Sequence, residues 1–201
     1  MKLDPTAPAP TLDPRGLSVA LVSARFNERI VTQLRDGARG AWQRLGGAPA
    51  ALVEFQVPGA FELPLACKLL AKSRKYSAVV ALGCVIRGDT AHFDFVAGEC
   101  ARGLMHAGLE TGVPVIFGVL TVENEAQAQE RADPSRMNKG GEALEAAVAS
   151  GEDAGEAAKH AVADAEHKAE EYAEAAAHEA DVEAAEAAET AEAAAPETPA
   201  E

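Results

Sequence analysis

The sequence predicts an α/β layered sandwich on a parallel sheet of about four strands, followed by an Ala/Glu-rich tail. Three observations carry that expectation. Short apolar runs suited to buried strands alternate with stretches whose apolar residues recur at helical spacing, the pattern of β-α-β units with right-handed crossovers. The first 151 residues hold sixteen acidic and sixteen basic side chains, a neutral body of ordinary domain size. The last fifty hold sixteen acidic side chains against two lysines, together with twenty-one alanines.

Taken in order, residues 1–14 are proline-rich, with little to pack and no apolar stretch of the signal-peptide kind, and read as a disordered arm. A single domain over residues 15–151 follows. Leu17 to Val22 is an apolar run suited to a first buried strand. From Asn27, Ile30, Leu34, Ala38, Ala41 and Leu45 recur at helical spacing, and Gly46-Gly47 ends that helix. Ala51 to Val57 reads as a second strand, stopped by Pro58-Gly59. Residues 60–73 look helical, with Pro64 tolerable only near the first turn. Ala78 to Ile86 is nearly all apolar, as a strand covered on both faces should be. A long helix from Ala91 to Glu110, a fourth strand from Val113 to Val119 and helices near 124–132 and 138–149 complete the body.

The tail, residues 152–201, has Val162, Tyr172 and Val182 as its only larger apolar side chains, too few to offset the entropy of ordering it. Alanine and glutamate favour helix, so the segment reads as disordered or partly helical, up to Pro196 and Pro199. His160, His167 and His178 are too irregularly spaced to suggest a metal site. No basic stripe exists to neutralise phosphates, which excludes nucleic acid as a main partner. No run of about 18 apolar residues exists, which excludes a spanning helix. Cys67, Cys84 and Cys100 are odd in number and form no Cys-x-x-Cys pair, so they read as buried thiols of a reducing compartment. These features together predict a soluble cytoplasmic protein.

In open parallel sheets, ligands bind outside the carboxyl ends of the strands. Three such ends are chemically unusual here: Arg25-Phe26-Asn27, Pro58-Gly59-Ala60-Phe61-Glu62, and Gly83 through His92. In the third, Asp89 or Thr90 is a natural N-cap, and free N–H groups at Gly88 to Thr90, at the positive end of a helix, suit a phosphate. His92 falls in that helix's first turn, where the dipole suits a neutral imidazole that can accept a proton. The plainer alternative is an ordinary capped helix with a surface histidine. Phe26 and Phe61 either stack on a flat ring or fill the core. Glu62 is either a favourable first-turn charge or an acceptor for a polyol or ring N–H groups. Arg131 and Lys139 either hold an anion by charge or belong to a solvated helix face.

Arg25-Phe26-Asn27, Val57-Pro58-Gly59-Ala60-Phe61-Glu62-Leu63-Pro64 and Gly83 through Phe93, with Val113-Pro114-Val115-Ile116-Phe117-Gly118-Val119-Leu120-Thr121 and Asn138-Lys139-Gly140-Gly141-Glu142-Ala143, resemble the lumazine synthase family over about residues 16–150. The resemblance implies a flavodoxin-like three-layer subunit with a four-stranded parallel sheet. It further implies assembly into pentamers, with pairs of pentamers and sixty-subunit shells as larger forms, and active sites between neighbouring subunits. The implied reaction condenses 5-amino-6-(ribitylamino)uracil with 3,4-dihydroxy-2-butanone 4-phosphate to 6,7-dimethyl-8-ribityllumazine, phosphate and water, without metal or organic cofactor. By that resemblance Phe26 stacks on the pyrimidinedione ring. Gly59, Ala60, Phe61 and Glu62 bind the ribityl chain and ring edge, and Cys84, Val85 and Ile86 offer backbone hydrogen bonds. Gly88, Asp89 and Thr90 hold the phosphate, aided by Arg131 of the adjacent subunit. Phe117 and Lys139 approach from that neighbour, and His92 moves protons as the imine forms and phosphate leaves. Riboflavin synthase is the implied protein partner.

Several residues depart from the family pattern. Ala91 stands where proline is common, Asp89 brings a carboxylate to the anion site that must point away, and residues 133–137 differ from the glycine-containing link of sixty-subunit shells. The tail has no family counterpart. It reads as a solubilising extension or as an acidic fringe that recruits basic partners. A scaffold or a riboflavin-binding module would account for the fold alone. The set Phe26, Glu62, His92, Arg131 and Lys139 favours catalysis, because neither alternative needs a histidine beside a phosphate cradle.

Overall fold

The computed structural model describes residues 12–157 and 168. Four strands, β1 (Val19–Ala24), β2 (Leu52–Val57), β3 (Ala78–Ile86) and β4 (Val115–Val122), form one sheet in the order β2-β1-β3-β4. All three pairings are parallel. The helices are α1 (Glu28–Arg44), α2 (Leu63–Lys72), α3 (His92–Thr111), α4 (Glu125–Ala132) and α5, which covers residues 139–157. Short 3-10 turns at Pro49–Ala51 and Ala60–Glu62 lead into β2 and α2. This is the expected three-layer α/β sandwich with a four-stranded parallel sheet.

Alternation along the central strands separates the two cores. Val19 and Leu21 of β1 with Val80 and Leu82 of β3 pack under Leu34 and Trp42 of α1 and Leu144 and Val148 of α5. Ala20 and Val22 with Val79 and Ala81 point the other way, onto Leu63 and Cys67 of α2 and Cys100 and Leu104 of α3. Strand β3 is buried over its first seven residues, which is why it is apolar throughout.

The element ends follow local chemistry. Gly46 and Gly47 close α1 as a Schellman turn: Gly47 N–H donates to Trp42 O at 2.9 Å and Gly46 N–H to Gln43 O at 3.0 Å, with Gly46 at φ 84°. Pro64 sits in the first turn of α2, where its missing N–H costs nothing. Several boundaries differ from the sequence expectation, two of them with a plain cause. Leu17 is spent in a turn, its N–H donating to Pro14 O, so β1 starts at Val19. Strand β4 runs on to Val122 because Ile86 of β3 still offers it a partner. The last helix continues past residue 149 through residue 157. The start of α5 is wedged against α1: a Cβ on Gly140 would fall on the Leu34 carbonyl, and one on Gly37 would meet the Asn138 side chain. Asn138-Lys139-Gly140-Gly141 is therefore a packing motif as well as a site motif.

The expected arm lies outside the described residues as far as residue 11, and the tail, with His160, His167 and His178, lies outside them except for residues 152–157 and 168.

Candidate active site

Strands β1 and β3 are neighbours whose outgoing connections lead to opposite edges of the sheet, and such a switch point opens a crevice at the strands' carboxyl ends. Two bonds carry the β1–β2 alignment past the strands: Arg25 N–H to Val57 O at 2.9 Å and Phe26 N–H to Pro58 O at 3.0 Å. Asn27 then turns the chain into α1 from a left-handed conformation, φ 58°, which asparagine tolerates better than most residues. Its side chain makes no helix cap; Nδ2 donates instead to Cys84 O at 2.9 Å, tying the end of β1 to the end of β3.

A cavity of about 510 Å³ occupies this crevice. Phe26, Gly59, Ala60, Phe61, Glu62, Cys84, Val85, Ile86, Gly88, Thr90 and His92, all expected from the sequence, line it, together with Pro58, Phe93 and Val96. Phe26 is 71% exposed and Phe61 59%, which removes the core alternative for both rings. Glu62 approaches Gly59 closely enough that a Cβ there would lie 3.1 Å from Oε2, so glycine makes room for the carboxylate. The buried Cys84 thiol is pushed up to about 11 by desolvation and stays neutral at ordinary pH.

The turn before α3 is built differently from the sequence expectation. Neither Asp89 nor Thr90 is the N-cap; Ala91 is, with no side-chain bond. The Thr90 hydroxyl, one residue before that N-cap, accepts from His92 N–H at 3.4 Å, a long bond to the first free donor of α3. Asp89 is exposed and does not line the cavity, while Gly88 and Thr90 do.

Phe117, Arg131 and Lys139 do not line this cavity. They share a second depression, about 410 Å³, along β4 and α5 with Glu142. Arg131 Nη1 donates to Gln127 O at 3.1 Å, and Lys139 Nζ lies 2.6 Å from Glu142 Oε2. The chain thus carries two separate depressions, one with a histidine and an open turn, the other with two cations and an aromatic ring.

The sequence reading assigns no site role to Pro58, Phe93, Val96 or Arg87, although all but Val96 fall within its strand-end blocks. Val96 was accessible to it, because i+4 from His92 falls on the same helix face. Arg87 Nε lies 2.9 Å from Glu123 Oε2, its Nη1 is 3.1 Å from Asp94 Oδ1, and its guanidinium sits 4.1 Å from the centre of the Phe93 ring. That arrangement exists only once β3, β4 and α3 are assembled.

Comparison with known proteins shows the family. The sequence model of the family described as 6,7-dimethyl-8-ribityllumazine synthase matches residues 16–154. A Thermus thermophilus protein named 6,7-dimethyl-8-ribityllumazine synthase is 49% identical over 146 residues, 73% of this chain and 93% of the relative. Relatives of the same name from Nitratidesulfovibrio vulgaris (50% over 137 residues, 68% of this chain and 88% of the relative) and Deinococcus radiodurans (49% over 138 residues, 69% and 89%) are similarly close. The chain belongs to the 6,7-dimethyl-8-ribityllumazine synthase family.

Proposed function

We propose that the β1/β3 cavity is where this chain condenses 5-amino-6-(ribitylamino)uracil with 3,4-dihydroxy-2-butanone 4-phosphate to give 6,7-dimethyl-8-ribityllumazine, phosphate and water. The observation that carries the assignment is convergence: a ring-stacking Phe26, a carboxylate at Glu62, backbone groups at Val85 and Ile86, an open turn at Gly88–Thr90 and His92 come from three separate strand ends to one cavity. The substrate amine is already a nucleophile, so holding the two substrates together supplies much of the acceleration. His92 relays protons during imine formation and ring closure, a contribution of about 10²–10⁴-fold. Backbone N–H groups of the turn stabilise charge developing on the departing phosphate. Asp89 contributes its N–H, with its carboxylate directed to solvent.

The Phe117, Arg131 and Lys139 half-site serves the cavity of a neighbouring copy. Its cations complement the phosphate turn, and its ring closes the stack begun by Phe26. Support for assembly comes from α2 and α3, which lie side by side through the Lys68–Glu110 ion pair at 2.5 Å and expose Leu65, Leu69, Met105 and Leu109. An apolar face of that kind is an interface signature. Pentamers are the unit of the reading, with pairs of pentamers or sixty-subunit shells as higher forms. Riboflavin synthase is the proposed associate and the cytoplasm the proposed location. Among the described residues, no helix is long and apolar enough to cross a membrane.

The test is complementation. His92→Ala subunits, impaired in kcat, and Arg131→Ala subunits, impaired in KM, each slow in its own oligomer when the phosphorylated substrate is subsaturating, are co-refolded in varying ratio and assayed under that condition. Mixed oligomers pair an intact His92 half-site with an intact Arg131 half-site, so turnover recovers. Failure to recover at every ratio, with mixed oligomers demonstrated, would place both residues in one subunit's site and overturn the shared-site reading.

A further inference from the structure

Arg87 is the first residue past β3 and, in sequence, the basic side chain nearest the turn Gly88–Thr90. From sequence it would be a natural phosphate ligand, yet the fold commits its guanidinium elsewhere. Nε donates to Glu123 Oε1 at 3.2 Å and lies 2.9 Å from Oε2; Nη1 reaches Asp94 Oδ1 at 3.1 Å and Oδ2 at 3.4 Å; one face covers the Phe93 ring at 4.1 Å. Its own N–H donates to Val122 O at 2.9 Å. The anchor is itself held: Glu123 N–H donates to Gln127 Oε1 at 3.0 Å, inside the α4 start that Asn124 caps through Gln127 N–H at 3.0 Å. Asp94 and Phe93, by contrast, belong to the first turn of α3, directly after His92.

We propose that Arg87 is a positioning residue for this reaction, a clamp that joins the phosphate turn and the first turn of α3 to the end of β4 and so fixes His92 relative to the turn's N–H groups. The inference rests on the roles given above to His92 and to the turn. It is needed because the turn has little else to hold it: Ala91 offers no capping side chain, and the Thr90 hydroxyl reaches His92 N–H only at 3.4 Å. Only a planar fork can bond two carboxylates along its edges while stacking on a ring; an ammonium cannot. Exposed ion pairs of this kind add little to stability. Geometry is another matter, since a displacement of about 1 Å costs as much as about 10²-fold in rate.

The experiment compares the full-length parent with Arg87→Gln, Arg87→Lys, Glu123→Gln and the double variant Arg87→Gln/Glu123→Gln. The clamp predicts about a tenfold fall in kcat for Arg87→Gln, part of the misplacement cost, with a several-fold rise in KM for the phosphorylated substrate alone. KM for the aminouracil and the melting temperature stay near parental. Arg87→Lys fails to rescue, Glu123→Gln shifts the same parameters in the same direction, and the double variant is no worse than Arg87→Gln, as for groups acting as one unit. Parental or lower KM in Glu123→Gln beside a raised KM in Arg87→Gln would overturn the proposal, because it would make Arg87 a direct phosphate ligand freed by losing its partner. Parental kinetics in Arg87→Gln would overturn it outright while leaving the active-site reading intact. Inorganic phosphate binding by calorimetry gives a readout independent of turnover: the clamp predicts weaker binding in both Arg87→Gln and Glu123→Gln, and parental affinity in both would contradict it.

Discussion

His92 stands exposed at the start of α3 with its N–H turned to Thr90, so its ring is free to meet a substrate in the cavity it lines. On the proposed role, replacing it by alanine removes a proton relay and leaves the binding surfaces, so kcat should fall about a hundredfold without reaching zero. Unchanged kcat would remove the relay role. Arg131→Ala should mainly raise KM for the phosphorylated substrate, and equal KM values in variant and parent would contradict its part in holding phosphate. At this scale the sequence is most informative about residue type and least about surroundings. The cluster of unusual residues at three strand ends is legible because glycine, aromatic and titratable residues stand out where an apolar strand pattern stops, which is where open parallel sheets bind ligands. Whether Phe26 and Phe61 stack or fill the core is not, because exposure is decided by elements distant in sequence. The N-cap expected at Asp89 or Thr90 falls one residue later, at Ala91, while the Thr90 hydroxyl still accepts from His92 N–H, the first free donor of α3.

The elements are legible from apolar period alone, and most sharply where the pattern is strictest. Strand β3 falls at Ala78–Ile86 as expected, because burial on both faces leaves no polar position to blur its ends. Strand β4 reads too short because its exposed Thr121 looks like an ending, whereas its partner β3 keeps pairing. The contact of α5 with α1 sits on Gly140, where a side chain would strike the Leu34 carbonyl. Gly140→Ala should therefore cost about 2 kcal/mol or more, lowering Tm by about 4–8 °C. A parental melt would show that α5 can shift freely against α1. Between α2 and α3, burial lifts the Cys67 thiol to about 12 and the Cys100 thiol to about 11, from an ordinary value of 9.0. The folded protein keeps both protons after the unfolded chain has begun to lose them. Their contribution is full below pH 9.0 and is lost as pH rises through the window up to 11–12. Melting curves from pH about 8 to about 11 should fall more steeply for the parent than for Cys67→Ala. Equal slopes would deny the thiols that role.

For the whole molecule, the proposed reading rests on two separate depressions. A cavity lined by His92 and a depression lined by Arg131 and Lys139 lie apart on one chain, and neither holds the residues of the other. Assembly through the exposed face of α2 and α3 would join them. Leu69→Asp and Leu109→Asp should each shift sedimentation towards the monomer, and turnover should fall in step because the site loses its second half. A monomer with parental turnover would contradict the shared site. Truncation after residue 157 leaves every cavity-lining residue in place, so turnover should be parental; a large loss would give the tail a part in the body's chemistry. The central claim concerns the reaction itself, and one assay reaches it most directly. Purified protein is supplied with 5-amino-6-(ribitylamino)uracil and 3,4-dihydroxy-2-butanone 4-phosphate, and lumazine formation is followed optically, with His92→Ala alongside. Steady product formation by the parent, falling sharply in the variant, is the expected result. A folded, oligomeric parent that forms no product would contradict it and leave the cavity as a binding site alone.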